Sequence, residues 1–430
     1  MSQMTYYQSI NNYQIYDQAS MQAAAKGKMI LLGILMASTF LGVYIFIYRY
    51  KSLRTSQSDR HGNSRWADIE EMRKKGLIDG EGVVIGRMCH WWRNYYITHD
   101  GSEPIVGIGP TRSGKGLGWV ITTLLRWLHS TFVYDPKGEN WRLTAWFRKN
   151  ILKHKCLRFA PNELSGASKY TNARFNPLEE INYGTLEEVS QAQSLATIIT
   201  DSGELKRDYW ERDAATTIQG VILHILYTKP KGNLTDVSFF MSKPPEEFLH
   251  EMTNTNHAEC LRKKGFPEEQ IKIMTDYWGS DINKNIYAVA ESLYNMSSKK
   301  SQNIPGAQFK PFETQQSKGA DGQLQGVLGT AKSFLALYQD PIVAYNISES
   351  DFKIDDLYNN DSAVDLYAIA PPSRTQQDRL RPLIRLLISL TLDKIQQSEA
   401  KKKHRLLFMI DEFPTLKKMD DIEDAFSTAA

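Results

Sequence analysis

The feature that most restricts the fold is an uncharged apolar run near the N-terminus, MILLGILMASTFLGVYIFIY at residues 29–48. Its length matches the roughly 20 residues that an α-helix needs to cross a bilayer. In lipid, such a segment satisfies its backbone hydrogen bonds as a helix. A secretory signal peptide would have a shorter apolar region and a small-residue cleavage site, whereas RYKSLR follows here. We therefore predict a transmembrane helix over residues 29–48.

The charges around this run indicate its orientation. Lys26 and Lys28 precede it, and four basic residues follow it within residues 49–60. Because Lys and Arg are enriched in cytoplasmic flanks, we expect the long C-terminal part in the cytoplasm. Residues 1–28 would form a short extracytoplasmic segment, and membrane lipid would surround the span.

The overall charge limits how the rest of the chain contacts other molecules. Lys and Arg number 52 against 49 Asp and Glu, which gives a net charge of +3. A globally basic surface is therefore excluded, and any binding of nucleic acid has to be local, in a channel or a loop. The three cysteines show neither metal-ligand spacing nor a disulfide pattern, which suits a reducing compartment.

From about residue 60 the sequence has the pattern of an α/β protein. Apolar runs of strand length occur at residues 103–109, 130–135 and 155–160, and each is stopped by a turn residue. Residues 116–130 have helical length and spacing between the first two runs. Strands that alternate with helices predict a mostly parallel sheet covered on both faces.

This alternation stops near residue 181 and returns after residue 335. Four intervening segments have helical patterns: 185–201, 208–228, 243–255 and 285–298. Residues 297–325 are polar and lack periodicity, which predicts an exposed loop.

The α/β pattern then returns with a strand at residues 362–370, a long helix at 379–395 and a buried strand at 406–410. We predict an all-α domain, 181–335, inserted between two parts of one nucleotide-binding domain, 60–180 and 336–430.

A glycine-rich loop follows the first predicted strand of that domain. Gly109, Gly114 and Lys115 fit the phosphate-binding pattern G-x-x-x-x-G-K-[ST], but Gly116 stands where a hydroxyl normally binds magnesium. A loop between a strand and a helix N-terminus directs backbone N–H groups at phosphates. The residues expected to hold ATP are Gly109, Pro110, Thr111, Arg112, Ser113, Gly114, Lys115, Gly116 and Leu117. Lys115 would reach the β- and γ-phosphates and act in catalysis.

Two carboxylates follow the last predicted strand, in LLFMIDEF at residues 406–413. Ligands of parallel sheets bind at the C-terminal ends of the strands. Asp411 is the candidate Mg²⁺ ligand, directly or through water, and Glu412 is the candidate base that orients and deprotonates an attacking water. The alternative is a solvated acidic pair after an ordinary core strand. Magnesium readily keeps several waters, so the missing hydroxyl at Gly116 does not exclude a competent site.

Several stretches together resemble the VirD4/TraG family of type IV secretion coupling proteins. They are GPTRSGKGLG, VYDPKGENW, HGNSRWAD (61–68), YWERDA (209–214) and LLFMIDEFPTL. The resemblance implies a RecA-like P-loop ATPase of the bacterial inner membrane with an inserted all-α domain. In this branch a glycine after the lysine is usual. By position, Asp135 would lie near the phosphates, although a turn role before Pro136 is equally open.

The resemblance also implies partners. Such ATPases form rings, usually hexamers, and act with type IV secretion channel components on a relaxase–single-stranded DNA complex, on protein effectors, or on both. An arginine from the neighbouring subunit would stabilise the transition state. Arg374, Arg379 and Arg381 are the candidates, and the sequence does not choose among them.

Two departures from the family pattern accompany the resemblance. Family members commonly have two membrane spans, whereas this sequence shows one, and the sequence leaves open whether a further span lies upstream. The strands and the glutamine-bearing motif expected after the Asp411–Glu412 pair are also not in this sequence.

Two other functions remain open from sequence. One is a DNA translocase of the FtsK type, against which the helical insertion and the DPKGE stretch argue. The other is a membrane receptor that binds nucleotide without hydrolysing it. Glu412 argues against the receptor, because a pure binder has no use for a carboxylate that activates water.

Overall fold

The computed structural model describes most of the chain in two compact units, Met1–Lys74 and Lys75–Ala430. The described residues are 3–55, 66–90, 92–110, 113–164, 171–203, 209–272, 320–371, 373–397 and 402–428. The predicted helix at 285–298 lies outside them. The domain boundaries deduced from sequence stay a prediction.

A single long helix, α1 (Gln3–Thr55), contains the apolar run. Within the described residues it is the one helix long and apolar enough to cross a membrane, over Ser20–Arg49 with a mean hydropathy of 2.4. The helix begins well before the apolar run and includes residues 3–28. Its apolar side chains are exposed all round, as for Phe40 at 75%. A helix that is apolar on every side is typical of burial in lipid or in a protein core.

The second unit is built on a four-stranded sheet in the order β4-β5-β3-β6. The strands are β3 (Ser130–Asp135), β4 (Lys155–Phe159), β5 (Val364–Ile369) and β6 (Leu406–Ile410). All three pairings are parallel, which confirms the predicted sheet type. An antiparallel hairpin of β1 (Val83–His90) and β2 (Arg93–His99) precedes it.

The described residues also contain further α-helices. In chain order they are α2 (Ile69–Lys74), α3 (Thr122–Arg126), α4 (Glu139–Asn150), α5 (Glu188–Ile199), α6 (Tyr209–Thr228), α7 (Leu234–Ser242), α8 (Pro245–Asn254), α9 (His257–Lys263), α10 (Ala320–Leu335), α11 (Pro341–Asn346), α12 (Asp356–Asn359), α13 (Arg374–Gln397) and α14 (Asp420–Thr428). A π-helical turn, Gly116–Ile121, leads into α3. Short 3₁₀ turns lie at Pro177–Glu180, Ala336–Gln339 and Phe413–Leu416.

The central strand β3 faces apolar groups on both sides. Phe132 and Tyr134 belong to the larger buried cluster, which also contains residues of α5, α6, α10 and α13. Val133 points the other way, into a smaller cluster with Val120 of the π-helical turn and Leu124 of α3. The π-helical turn and α3 together are called the glycine-loop helix. Alternate residues of a strand face opposite sides, so a strand buried on both faces needs an unbroken apolar run. One core therefore joins the sheet to the helical region.

Three sequence predictions were wrong in the described part of the chain. The predicted strand at residues 103–109 does not form, and Val106 and Ile108 are 69% and 96% exposed. A strand requires a partner for its backbone groups, and none of the described strands pairs with this run. The predicted loop at 297–325 extends too far, because α10 begins at Ala320. The predicted first core helix ends at Arg126 rather than at residue 130.

A buried charge network ties four of these elements together. The Arg148 guanidinium of α4 donates Nε–H and Nη2–H to the Asp365 carboxylate of β5, at 2.8 and 2.7 Å. Asp365 also accepts from Thr131 Oγ1 of β3 at 2.9 Å. Burial alone would raise the pKa of Asp365, but hydrogen bonds from His154 and Arg148 hold it below its ordinary value.

The same guanidinium reaches the end of the glycine-loop helix. It donates to the carbonyl oxygens of Trp127 at 2.9 Å and His129 at 2.8 Å, and also to that of Leu124. All five N–H groups of an arginine are thus used where water is absent.

Replacing Arg148 by Met should destabilise the protein strongly. The Asp365 charge would stay buried without its partner, which costs about 3–5 kcal/mol. The free energy of unfolding, measured by urea denaturation with tryptophan fluorescence, should fall by that amount. Adding Asp365→Asn should recover part of the loss, since the uncompensated charge is removed. Strictly additive losses would contradict a direct ion pair.

Candidate functional site

The glycine loop turns sharply and then enters a helix. Gly114 has φ +84°, in the region that favours glycine, and space around it is open. Gly116 begins the π-helical turn, and Gly118 N–H bonds to the Gly114 carbonyl at 2.8 Å. Lys115 at the N-cap position gives no side-chain cap, so the N-terminus of this helix is free of the usual capping contact. Thr111 and Arg112 lie outside the described residues.

The Lys115 side chain folds back over its own loop. Its ammonium donates to the carbonyl oxygen of Pro110 at 2.9 Å and to that of Gly109. Ser113 Oγ lies 3.5 Å away. Gly109, Ser113 and Lys115 are thus brought together around one cation, whereas Leu117 points outward at 72% exposure.

The loop is fixed to the sheet through the helix that follows it. Val120 and Leu124 pack against Val133 of β3 and Met409 of β6. α4 contacts both the π-helical turn and β3. The glycine loop therefore lies on the same face of the sheet as α4.

Two of the predicted carboxylates lie at the same edge of the sheet. Asp135 ends β3, and Asp411 follows the neighbouring parallel strand β6, with its N–H 3.3 Å from the Tyr134 carbonyl oxygen. Asn140 donates its Nδ2–H to Asp411 Oδ2 at 3.4 Å. Burial raises the pKa of Asp135, and the nearby Asp411 charge raises it further against hydrogen bonds from backbone N–H groups.

Asp135 has a structural role that the sequence left open. Its Oδ1 accepts the Glu139 N–H at 3.1 Å and its Oδ2 accepts the Trp141 N–H at 2.9 Å. A carboxylate at this position satisfies N–H groups of the first turn of α4 and interacts favourably with the helix dipole. Asp135 is fully buried, whereas Asp411 and Glu412 are exposed.

The backbone of Glu412 is held by the turn that follows it. The Glu412 carbonyl oxygen accepts from Thr415 N–H at 3.2 Å and from Thr415 Oγ1 at 2.7 Å. Thr415 Oγ1 is also 2.9 Å from the Tyr134 hydroxyl. Sequence patterns gave no signal for Tyr134, Asn140 or Thr415, because each is defined by a contact between distant segments.

The three candidate arginines differ in their surroundings. Arg379 pairs with Asp340, and Arg381 pairs with Asp378 and donates Nε–H to the Thr415 carbonyl oxygen at 2.6 Å. Arg374 is exposed at the start of α13, and makes no hydrogen bond or ion pair with the described part of the chain.

Comparison with known proteins places the chain in a family. The family described as Type IV secretory system Conjugative DNA transfer matches residues 65–430. The chain belongs to this family. The conjugative DNA transfer family is thereby confirmed as the one that the glycine loop and the Asp411–Glu412 motif indicate.

Individual relatives agree with this membership. The chain is 34% identical over 403 residues to the conjugal transfer protein TraG of Escherichia coli, which covers 86% of this chain and 56% of TraG. It is 26% identical over 391 residues to the protein VirD4 of Rhizobium radiobacter, across 88% of this chain and 48% of VirD4. The chain thus spans about half the length of these relatives.

A solved structure of the bacterial conjugative coupling protein TrwBdeltaN70 superposes with a TM-score of 0.41 and 14% identity. The superposition covers 74% of this chain and 56% of that one, and is too loose to define residue correspondences.

The two glycines of the loop should respond differently to the same added side chain. Gly114→Ser places a side chain at φ +84°, whereas Gly116→Ser places one in helical backbone with open space around it. We expect Gly114→Ser to weaken binding of a fluorescent ATP analogue about tenfold or more, from backbone strain of about 1–3 kcal/mol. Gly116→Ser should change affinity by less than about twofold. Equal losses in both variants would show that the φ at Gly114 is not the constraint.

Proposed function

We propose that this chain is a membrane-anchored ATPase that receives transfer substrates and passes them to type IV secretion channel components by ATP hydrolysis. One observation carries the proposal. The glycine loop opens onto an uncapped helix N-terminus, and the Asp411–Glu412 pair follows a strand of the sheet on which that helix packs. Membership of a conjugative DNA transfer family supports the substrate class.

The chemistry of the loop fits a nucleotide triphosphate with magnesium. The Lys115 ammonium donates to oxygen atoms of the loop. When a nucleotide binds, it would donate instead to phosphate oxygens, whose negative charge strengthens the hydrogen bonds. Asp411, exposed and bonded to Asn140, would hold the waters of Mg²⁺. When bound, the metal supplies charge neutralisation at the phosphates. The hydroxyl that Gly116 lacks would be replaced by a further water.

Glu412 is the proposed general base. Its side chain is exposed beside Asp411, while its backbone is fixed through Thr415 and Tyr134. A fixed backbone with a solvent-accessible carboxylate suits a group that orients an attacking water. Asp135 contributes indirectly, because its carboxylate accepts hydrogen bonds from the first turn of α4 and so fixes that helix at the site.

Among the three arginines, Arg374 is the proposed residue acting on a neighbouring subunit. Arg379 and Arg381 are engaged by acidic groups of their own chain, and Arg374 is exposed. The proposed assembly is a hexameric ring, with α1 anchored in the inner membrane and the second unit in the cytoplasm. The proposed cargo is a relaxase–DNA complex, protein effectors, or both. The description of the family, Conjugative DNA transfer, favours DNA.

ATP turnover by the purified, membrane-reconstituted protein should be stimulated by single-stranded DNA. Lys115→Ala should abolish turnover by removing the phosphate contact. Glu412→Gln should lower kcat by about 100-fold or more while nucleotide binding persists, because only the base is lost.

Lys149→Ala is the matched control, since it removes an exposed lysine of α4 outside the loop and should leave turnover unchanged. Bound nucleotide without turnover under any condition would favour the non-hydrolysing receptor.

A further inference from the structure

The turn after Glu412 contains a strained residue. Lys417 has φ 60° and ψ −162°, a conformation that residues with a side chain rarely adopt. Such a conformation persists where the surrounding structure imposes it. The contacts around Lys417 therefore identify what holds this turn in place.

Arg385 of α13 bonds to the backbone on both sides of Lys417. Its Nη1–H group donates to the Leu416 carbonyl oxygen at 2.7 Å and to the Lys418 carbonyl oxygen at 2.5 Å. Arg385 is 5% exposed, so these are buried, charge-assisted hydrogen bonds. They hold the peptide group that precedes Lys417 and the carbonyl group of the residue that follows it, so the backbone is fixed on both sides of Lys417.

The same guanidinium also contacts the end of α5. Its Nη2 pairs with the Asp201 carboxylate, which follows α5 in the helical region. The other Asp201 oxygen accepts the Gly203 N–H at 2.9 Å. If Asp201 is removed, the buried positive charge of Arg385 loses its counter-charge. The hydrogen bonds from Arg385 to the turn therefore depend on its ion pair with Asp201.

The turn at Phe413–Leu416 also fixes the backbone of Glu412. Thr415 bonds to the Glu412 carbonyl oxygen, and Arg381 bonds to the Thr415 carbonyl oxygen at 2.6 Å. One end of the turn is thus tied to the proposed base and the other end to Arg385. Glu412 and Lys418 are six positions apart, so a shift of the backbone at Lys418 is transmitted to Glu412 through this short turn.

We propose that Arg385 is a positioning residue for Glu412, and that its pair with Asp201 makes the position of Glu412 depend on the helical region. This inference rests on the proposed function of the site. Arg385 touches no reacting group; it acts by imposing the Lys417 conformation. The hydrogen bonds from Arg385 to Leu416 and Lys418 are called the clamp. Without the clamp the turn relaxes, and Glu412 leaves the orientation in which it acts as a base.

Arg385→Gln should lower kcat for ATP about tenfold with KM changed by less than about twofold, since the phosphate contacts remain. The decisive variant is Arg385→Gln with Lys417→Gly. Glycine adopts the Lys417 conformation without steric cost, so the turn needs no clamp and kcat should recover by several-fold.

Two further variants complete the test. Asp201→Asn should lower kcat in the same way, and its effect should not add to that of Arg385→Gln. Lys394→Gln is the control, because Lys394 of α13 bridges instead to Glu180 and should leave kcat unchanged. An unaltered kcat in Arg385→Gln, or no rescue by Lys417→Gly, would overturn the inference.

Hydrogen exchange of the full chain separates this inference from the proposed function. In Arg385→Gln the backbone amides of residues 415–418 should exchange about tenfold faster, with protection restored by Lys417→Gly. If the wild-type protein shows no ATP turnover, the proposed function fails and exchange still decides the clamp. Unchanged exchange in Arg385→Gln would contradict it.

Discussion

The arrangement around the site depends on the buried ion pair between Arg148 and Asp365. One guanidinium joins α4 to β5 and to the end of the glycine-loop helix, while the carboxylate also bonds β3. Desolvation offsets much of the attraction in such a pair, so its stabilising effect is smaller than its Coulomb energy. Its main effect is geometric, because a planar fork with five donors accepts few alternative arrangements. The glycine-loop helix and α4 are thereby held in one orientation on the sheet.

The pairing of the strands and the packing of the helices determine where the site residues lie. Parallel pairing of β3 with β6 brings Asp135 and Asp411 to one edge. Asp135 turns inward to hold α4, which leaves Asp411 and Glu412 at the surface. Packing of Val120 and Leu124 places the glycine loop on the face that α4 also covers. The exposed carboxylates thus lie at the C-terminal ends of parallel strands, where ligands of such sheets bind.

The sequence predicted the features that depend on local patterns. β3, β5 and β6 are short segments rich in apolar residues, and the glycine loop has fixed spacing, so both were visible without a structure. The run at 103–109 misled because its apolar residues carry no information about whether a partner strand exists. Asn140, Thr415 and Arg385 were missed because their roles arise from contacts across long sequence separations. The roles of the site residues stay predictions until they are measured.

The central claim is that Glu412 makes this site a motor rather than a nucleotide-dependent receptor. The most direct test is DNA transfer between cells by the Glu412→Gln variant, with its membrane level and ATP binding verified. The account predicts that nucleotide stays bound and transfer falls by about 100-fold or more, because only hydrolysis is lost. Transfer at the wild-type frequency with nucleotide bound would contradict it.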